Sequence, residues 1–323
     1  MIIINMEYYY QNSEYLVYHK IGKEIHQKIA NKLFLNKNLN NYSIYRLATE
    51  IDINLHLFAR EYPELEIMSG FPTGVNINEM VAHYSPNKQD KTVLKNGDVV
   101  KIDYGVCVNG IIYDAAYTVY VGEDKENDLM YETKMKLIEA SKEAFEEAKK
   151  MMRPDQLVGE IGGKIQETVL SYGFNTINDI CGHQIKPYEI HSGLVIPNYN
   201  CDSILPPKMK RILGDSFYAI EPYASTGNGE VYYSEEIPCN HYILNYHRYD
   251  YEIAKKKIAE RGHDTGYLSK FRTLCFTPKW LGKSDAEFQE TFSILEPYYT
   301  KQQPIIEKSG GLTSQYEETI YVK

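Results

Sequence analysis

Asp103 and Asp114 lie in the apolar stretch VVKIDYGVCVNGIIYDAAYTVYV, residues 99–121. Asn109-Gly110 divides that stretch, and this dipeptide tolerates the positive φ angles of a two-residue type I′ hairpin. With such a turn, 108 faces 111, Asp103 faces Ala116, and Asp114 faces Gly105. Strand alternation puts 103 and 105 on one face. The two carboxylates are then diagonal neighbours, roughly 7–8 Å apart at the backbone. Their direct partners are small, which predicts open space around both acids. Two carboxylates on an apolar hairpin repel each other, so either one holds a proton or a cation sits between them. A cation needs more ligands. The candidates are His83, His183, His191 and His241, with Glu221 at the end of the apolar run 217–220 and Glu317 in an alternating C-terminal segment. Taken singly, each has an ordinary explanation as a solvated or backbone-bonded side chain.

The elements that must position these residues follow from periodicity. Leu16, Ile21, Ile25, Ile29 and Leu33 predict an amphipathic helix within 11–36. A second helix is predicted over 43–60, with Ser43 as N-cap. Gly70 to Gly74 reads as a loop, and a short strand follows around Val81 and His83. Residues 130–152 and 156–172 predict two further helices, ended by Pro154 and Gly173, before strand-like pieces with His183, His191 and Glu221. Two helices then strands, twice over, predicts an α+β chain of two similar halves within one unit over 1–323. Residues 246–300 break that order. Helical signals at 251–262, at 268–276 and from Ser284, where Ser284 and Glu287 fit a capping box, predict an inserted helical subdomain. The segment 315–323 predicts a final strand returning to the core.

Composition narrows the functional classes. The net charge is −9 and no basic stripe occurs, so no direct nucleic-acid binding is expected; Lys255 to Lys257 read as a solvated helix face. The five cysteines are scattered without a CxxC, which argues against a disulfide framework or structural zinc site and for a reducing compartment. The start, MIIINMEYYY, lacks the basic region of a signal peptide, and no apolar run approaches a membrane span. A cytoplasmic protein is the expectation.

Several motifs carry a family resemblance: FPTGVNINEMVAHYSPN, KNGDVVKIDYGVCVNGIIYDAAYTV, GHQIKPYEIHSG, FYAIEPYASTGNGEV, CNHY and QYEETIYV. In order and spacing the chain resembles the type 2 methionine aminopeptidases from about residue 10 onward, and the insertion between Glu221 and Glu317 is typical of that type. The resemblance implies a pita-bread fold with the metal site between two related halves. It implies two divalent ions (Co²⁺, Mn²⁺, Fe²⁺ or Zn²⁺) held by Asp103, Asp114, His183, Glu221 and Glu317, with Asp114 and Glu317 bridging. It implies hydroxide attack on the first peptide bond, with Glu221 as proton shuttle and His83 and His191 beside the substrate. Phe71, Ile190, His241 and either Tyr298 or Tyr299 would line the methionine pocket. Cys181 stands where the family carries a polar residue. The implied substrate is the N-terminus of a nascent polypeptide with a small second residue. The ribosome is a candidate partner, and the implied state is monomeric. Two rivals are a prolidase-like peptidase, which usually carries a large extra N-terminal domain, and a metal-free binding protein on the same fold, which usually loses ligands.

Overall fold

The computed structural model of the chain describes residues 13–123, 125–201, 203–206, 210–244, 252–253, 256–257, 259–260, 271–281 and 299–323. Helices α1 (Ser13–Leu33) and α2 (Ile44–Ala59) precede one set of strands; α3 (Tyr131–Met151) and α4 (Val158–Ser171) precede another. Each falls inside the span its periodicity predicted. Ser43 caps α2, its hydroxyl accepting from the Arg46 N–H at 3.3 Å. The buried residues of α3, including Leu137, Ala140, Ala144 and Ala148, recur at the three- and four-residue spacing of a single helix face.

The first strands are β1 (Ile67–Ser69), β2 (Gly74–Ile77), β3 (Met80–Ala82), β4 (Val99–Val108) and β5 (Ile111–Tyr120). After the second helix pair come β6 (Asn175–Thr176), β7 (Cys181–Ile185), β8 (Val195–Pro197), β9 (Ser216–Ile220), β10 (Tyr223–Ser225), β11 (Val231–Tyr233) and β12 (Tyr242–Leu244). The C-terminal part adds β13 (Tyr299–Lys301), β14 (Ile305–Glu307), β15 (Thr313–Gln315) and β16 (Glu317–Val322). The main sheet runs β1-β4-β5-β16-β9-β7-β8, with β2 also paired to β4. α1 and α2 pack on the first-half strands, and α3 and α4 on the second half. Each half has its own apolar core, one around Ile29, Leu47, Ile102 and Tyr104, the other around Phe145, Ile161, Val169 and Ile220. β16 is the seam, because it pairs with β5 on one side and β9 on the other.

The hairpin β4–β5 has the register its turn dictates: Val108 opposite Ile111, Asp103 opposite Ala116, Gly105 opposite Asp114. Asn109 and Gly110 carry φ of 46° and 91°. The expectation of empty space at Gly105 is corrected. A Cβ there would lie 2.5 Å from the Phe71 ring, so the glycine admits Phe71 rather than leaving a void. On the opposite face, His26 backs the hairpin. It is fully buried, stacked on Tyr104 at 3.8 Å, with Nε2 3.0 Å from the carbonyls of both Tyr104 and Ala115.

Two other expectations change. The C-terminal strand is split at Tyr316: β15 pairs with β10 in a small separate sheet, and only β16 joins the main one. The fully buried Lys101 ties these layers, its Nζ donating to the carbonyls of Asn78 (2.7 Å) and Thr313 (3.0 Å) and to the Thr313 hydroxyl (2.8 Å). The predicted helix over 268–276 does not extend to its end. Phe271 is helical, but Arg272 has φ 52° and Phe276 bridges to Tyr242. The helix expected from Ser284 lies outside the described residues. The base of the inserted stretch is the β12–β13 ladder, which pairs Leu244 with Tyr299.

Candidate metal centre

Register alone gathers the site. Gly74, Asp103, Ala116 and Glu317 form one row across β2, β4, β5 and β16. Thr319, Ala219 and His183 form a second row across β16, β9 and β7. Residues two apart share a face, so Asp103, Asp114, Glu317 and His183 project to one side of the sheet. Glu221 follows the end of β9 on the same side, two residues past Ala219. Beyond Glu318 the β5–β16 ladder opens. There the Thr319 hydroxyl accepts from the Asp114 N–H (2.8 Å) and donates to the Asp114 carbonyl (2.9 Å). That hydroxyl satisfies the backbone where the strands part, so the acids sit at an opening without orphaned main chain.

The five side chains converge. His183 Nε2 lies 3.6 Å from Asp114 Oδ2 and 3.5 Å from Glu221 Oε1. Asp114, His183 and Glu317 each offer a ligand atom within 4.8 Å of the others. Gln315 Nε2 donates to Glu317 Oε2 at 2.8 Å and, more weakly, to Asp103 Oδ2 at 3.4 Å. Asp103 Oδ1 and Asp114 Oδ1 are buried with no hydrogen-bond partner. Burial pushes the Asp103 carboxyl up to about 7. Burial and then mutual repulsion push Asp114, Glu221 and Glu317 well above the carboxylate range. Burial, with His191 adding to it, holds His183 well below the usual imidazole value, so its ring is neutral and able to ligate. Among the described residues no lysine or arginine pairs with this cluster. Four acids, one neutral imidazole and unpartnered inward oxygens fit divalent cations as the missing counter-charge.

The same cavity, of about 180 Å³, is lined by Phe71, His83, Ile190, His191 and His241. His83 closes β3 at φ 66°, a costly conformation for a residue with a Cβ. Burial and then His191 lower its ring to about 4, so it is neutral near pH 7. His241 is lowered further by burial and the neighbouring histidines. Its ring lies parallel to Phe71 at 6.3 Å and edge-on to His83 at 5.5 Å. His191 stands perpendicular to His183 at 4.5 Å and is open to solvent. Tyr299 does not reach this cavity. Its strand pairs with β12, which turns the ring edge-on to Phe276 at 5.1 Å. Tyr298 lies outside the described residues.

Sequence reasoning missed other wall residues: Tyr223, Tyr233, Cys275, Asp179 and Ile180. Tyr223 is two residues past Glu221 but belongs to another sheet, so strand alternation gives no signal for it. Cys181 also lines the wall, and burial with the nearby Glu221 pushes its thiol up to about 12, leaving it protonated. Asn198, 1% exposed, donates from Nδ2 to the carbonyls of Ile180 (3.0 Å), Ile177 (3.4 Å) and Glu221 (3.4 Å). It fastens Glu221 to the segment at the cavity rim.

Fold and site together define a metal-dependent hydrolase with a carboxylate-rich centre. The family model for metallopeptidase family M24 matches residues 13–237, and the chain belongs to that family. It is 35% identical over 272 residues to a methionine aminopeptidase of Thermococcus onnurineus, covering 82% of this chain and 84% of that protein. It is 33% identical over 266 residues to methionine aminopeptidase 2 of Dictyostelium discoideum, covering 78% of this chain but only 56% of that longer protein. Among solved structures, a methionine aminopeptidase from Thermotoga maritima aligns with TM-score 0.63 at 22% identity, over 96% of this chain and 93% of that one. A thermophilic Arx1 aligns with TM-score 0.79 at 14% identity, over 96% and 88%. These likenesses identify the pita-bread fold. No helix among the described residues is long and apolar enough to cross a membrane.

Proposed function

We propose that this chain removes the N-terminal methionine from polypeptides whose second residue is small. The observation that carries the reading is the convergence of Asp103, Asp114, His183, Glu221 and Glu317 on one cavity that also holds neutral His83 and the apolar wall Phe71 and Ile190. In this reading Asp103, Asp114, His183, Glu221 and Glu317 would together hold two divalent ions. The hard donor set suits Mn²⁺, Fe²⁺, Co²⁺ or Zn²⁺. When bound, such ions supply Lewis-acid charge and acidify a water molecule.

The chain's own groups supply the rest. A Glu221 oxygen accepts a proton as the peptide carbon is attacked and returns it to the departing amine nitrogen. His83 or His191 donates an N–H to the scissile carbonyl oxygen, where charge develops. Phe71, Ile190 and His241 hold the thioether side chain. The free α-amine would bind near Asp103, which restricts cleavage to the first residue. On this reading the enzyme works in the cytoplasm as a monomer on nascent N-termini, with the ribosome as a candidate neighbour. The retained acids and the acidic net charge favour it over a metal-free binding protein on the same fold. With Mn²⁺ or Co²⁺, the purified protein is expected to release methionine from Met-Ala-Ser and none from its N-acetylated form. No release with any of the four metals overturns the reading.

A further inference from the structure

We propose that the cavity continues into an exit subsite, built from Tyr233 and Asp179, that prefers a basic side chain at the third or fourth residue of the substrate. This rests on the aminopeptidase reading and extends it beyond the scissile bond.

Three cross-strand neighbours form one wall of the cavity. Ala82 of β3 pairs with Ile305 of β14, and Ile305 pairs with Tyr233 of β11. All three line the cavity, and exposure rises along the row from 2% at Ala82 and 2% at Ile305 to 56% at Tyr233. The row begins beside His83, the next residue after Ala82, and ends in solvent. It therefore gives the direction in which a bound peptide leaves. Two strand spacings make the row about 9.5 Å long, and an extended peptide advances about 3.3 Å per residue. With the scissile bond at His83 and the second residue over Ala82, the third and fourth residues lie about 3.3 and 6.6 Å along the row, on either side of Ile305 and within side-chain reach of Tyr233.

Asp179, exposed, and Ile180, partly buried, line the cavity just ahead of β7. Ile180 is anchored by the Asn198 hydrogen bond, so this part of the rim is set before a peptide arrives. A lysine or arginine leaving the cavity would lay its apolar stem on the Tyr233 ring and direct its charge to the Asp179 carboxylate. A glutamate there would be repelled. Both residues lie toward the open end of the cavity, Asp179 exposed and Tyr233 56% exposed, so the pair acts on binding.

The test compares methionine release from Met-Ala-Ser-Lys, Met-Ala-Ser-Glu and Met-Ala-Ser-Gln, and from Met-Ala-Lys-Ser and Met-Ala-Glu-Ser. At one or both positions the lysine peptide is expected to exceed the glutamate peptide about fivefold in kcat/KM, through KM, as befits an exposed ion pair. Asp179→Asn should bring the two within about twofold. Glu235→Gln removes the same charge from an exposed position that does not line the cavity, and should preserve the preference. Tyr233→Ala should raise KM for the tetrapeptides and leave their kcat. Turnover of the glutamine peptide without lysine preference, or a preference insensitive to Asp179→Asn or equally lost in Glu235→Gln, overturns the subsite alone. Absence of turnover with every peptide overturns the aminopeptidase reading and this one with it.

Discussion

At the scale of single residues, the site is a set of groups in unfavourable states. Four carboxyls share a buried space where none finds a cationic side chain among the described residues, and His83 carries a strained backbone. Such states persist when the surroundings overdetermine them. His26 is one of those surroundings, stacked on Tyr104 behind the hairpin. Burial lowers its ring from the usual 6.5 to about 3, against two carbonyl contacts that raise it. The unfolded chain therefore takes up this proton from about pH 6.5 downward while the folded chain does not, and the stabilisation is lost as the pH falls through that window. In chelator-treated protein, wild type should be more stable than His26→Gln at neutral pH. Their unfolding free energies should converge by about 1 kcal/mol per pH unit between about pH 6 and pH 4. Parallel curves in urea titrations would show that His26 is not held neutral.

At the scale of elements, α2, the loop before β2 and the inserted stretch meet at Asp52. Its carboxylate accepts from Lys279 Nζ (2.6 Å), Trp280 Nε1 (3.0 Å) and the Thr73 hydroxyl (3.4 Å). Thr73 lies between Pro72 and Gly74, and Cys275 lies a few residues before Lys279; Pro72, Gly74 and Cys275 all line the cavity. One buried acid thus holds two walls of the cavity together. Asp52→Ala leaves the Lys279 charge buried and unpaired, at a cost of about 3 kcal/mol. It should make the stretch between Leu244 and Tyr299 cut faster by limited proteolysis and raise KM for Met-Ala-Ser more than it lowers kcat. Unchanged cleavage and an unchanged KM would remove Asp52 from this role.

How far the sequence carried these elements depended on the range of the contacts involved. The four helices and the hairpin register are local matters of periodicity and one Asn-Gly turn, and they were legible. That Asp103 and Asp114 share a face was legible for the same reason. The arrival of Glu317 beside Ala116 was not derivable from pattern, because it needs β16 to insert between β5 and β9, a pairing of distant segments. The alternating segment made Glu317 a candidate, the family resemblance gave it the role of a ligand, and strand pairing supplies its place. The break at Tyr316, the use of Gly105 by Phe71 and the wall residues Tyr223 and Cys275 depend on packing between sheets, which leaves no periodic trace.

At the scale of the whole molecule, the centre joins the halves. Asp103 and Asp114 come from the first half, His183 and Glu221 from the second, and Glu317 from the seam strand. A cation bound there favours the folded chain over the unfolded one, adding about 2.7 kcal/mol when the free ion is at a hundred times its dissociation constant. Mn²⁺ should therefore raise the melting temperature of chelator-treated protein, and the rise should be absent in Asp114→Asn. An equal rise in both would assign the effect to ions bound elsewhere. The most direct measurement is calorimetric titration of Mn²⁺ into the chelator-treated chain. The account predicts saturable binding of two ions per chain in wild type and loss of at least one in Asp114→Asn. No saturable binding, or the same binding in the variant, would contradict it.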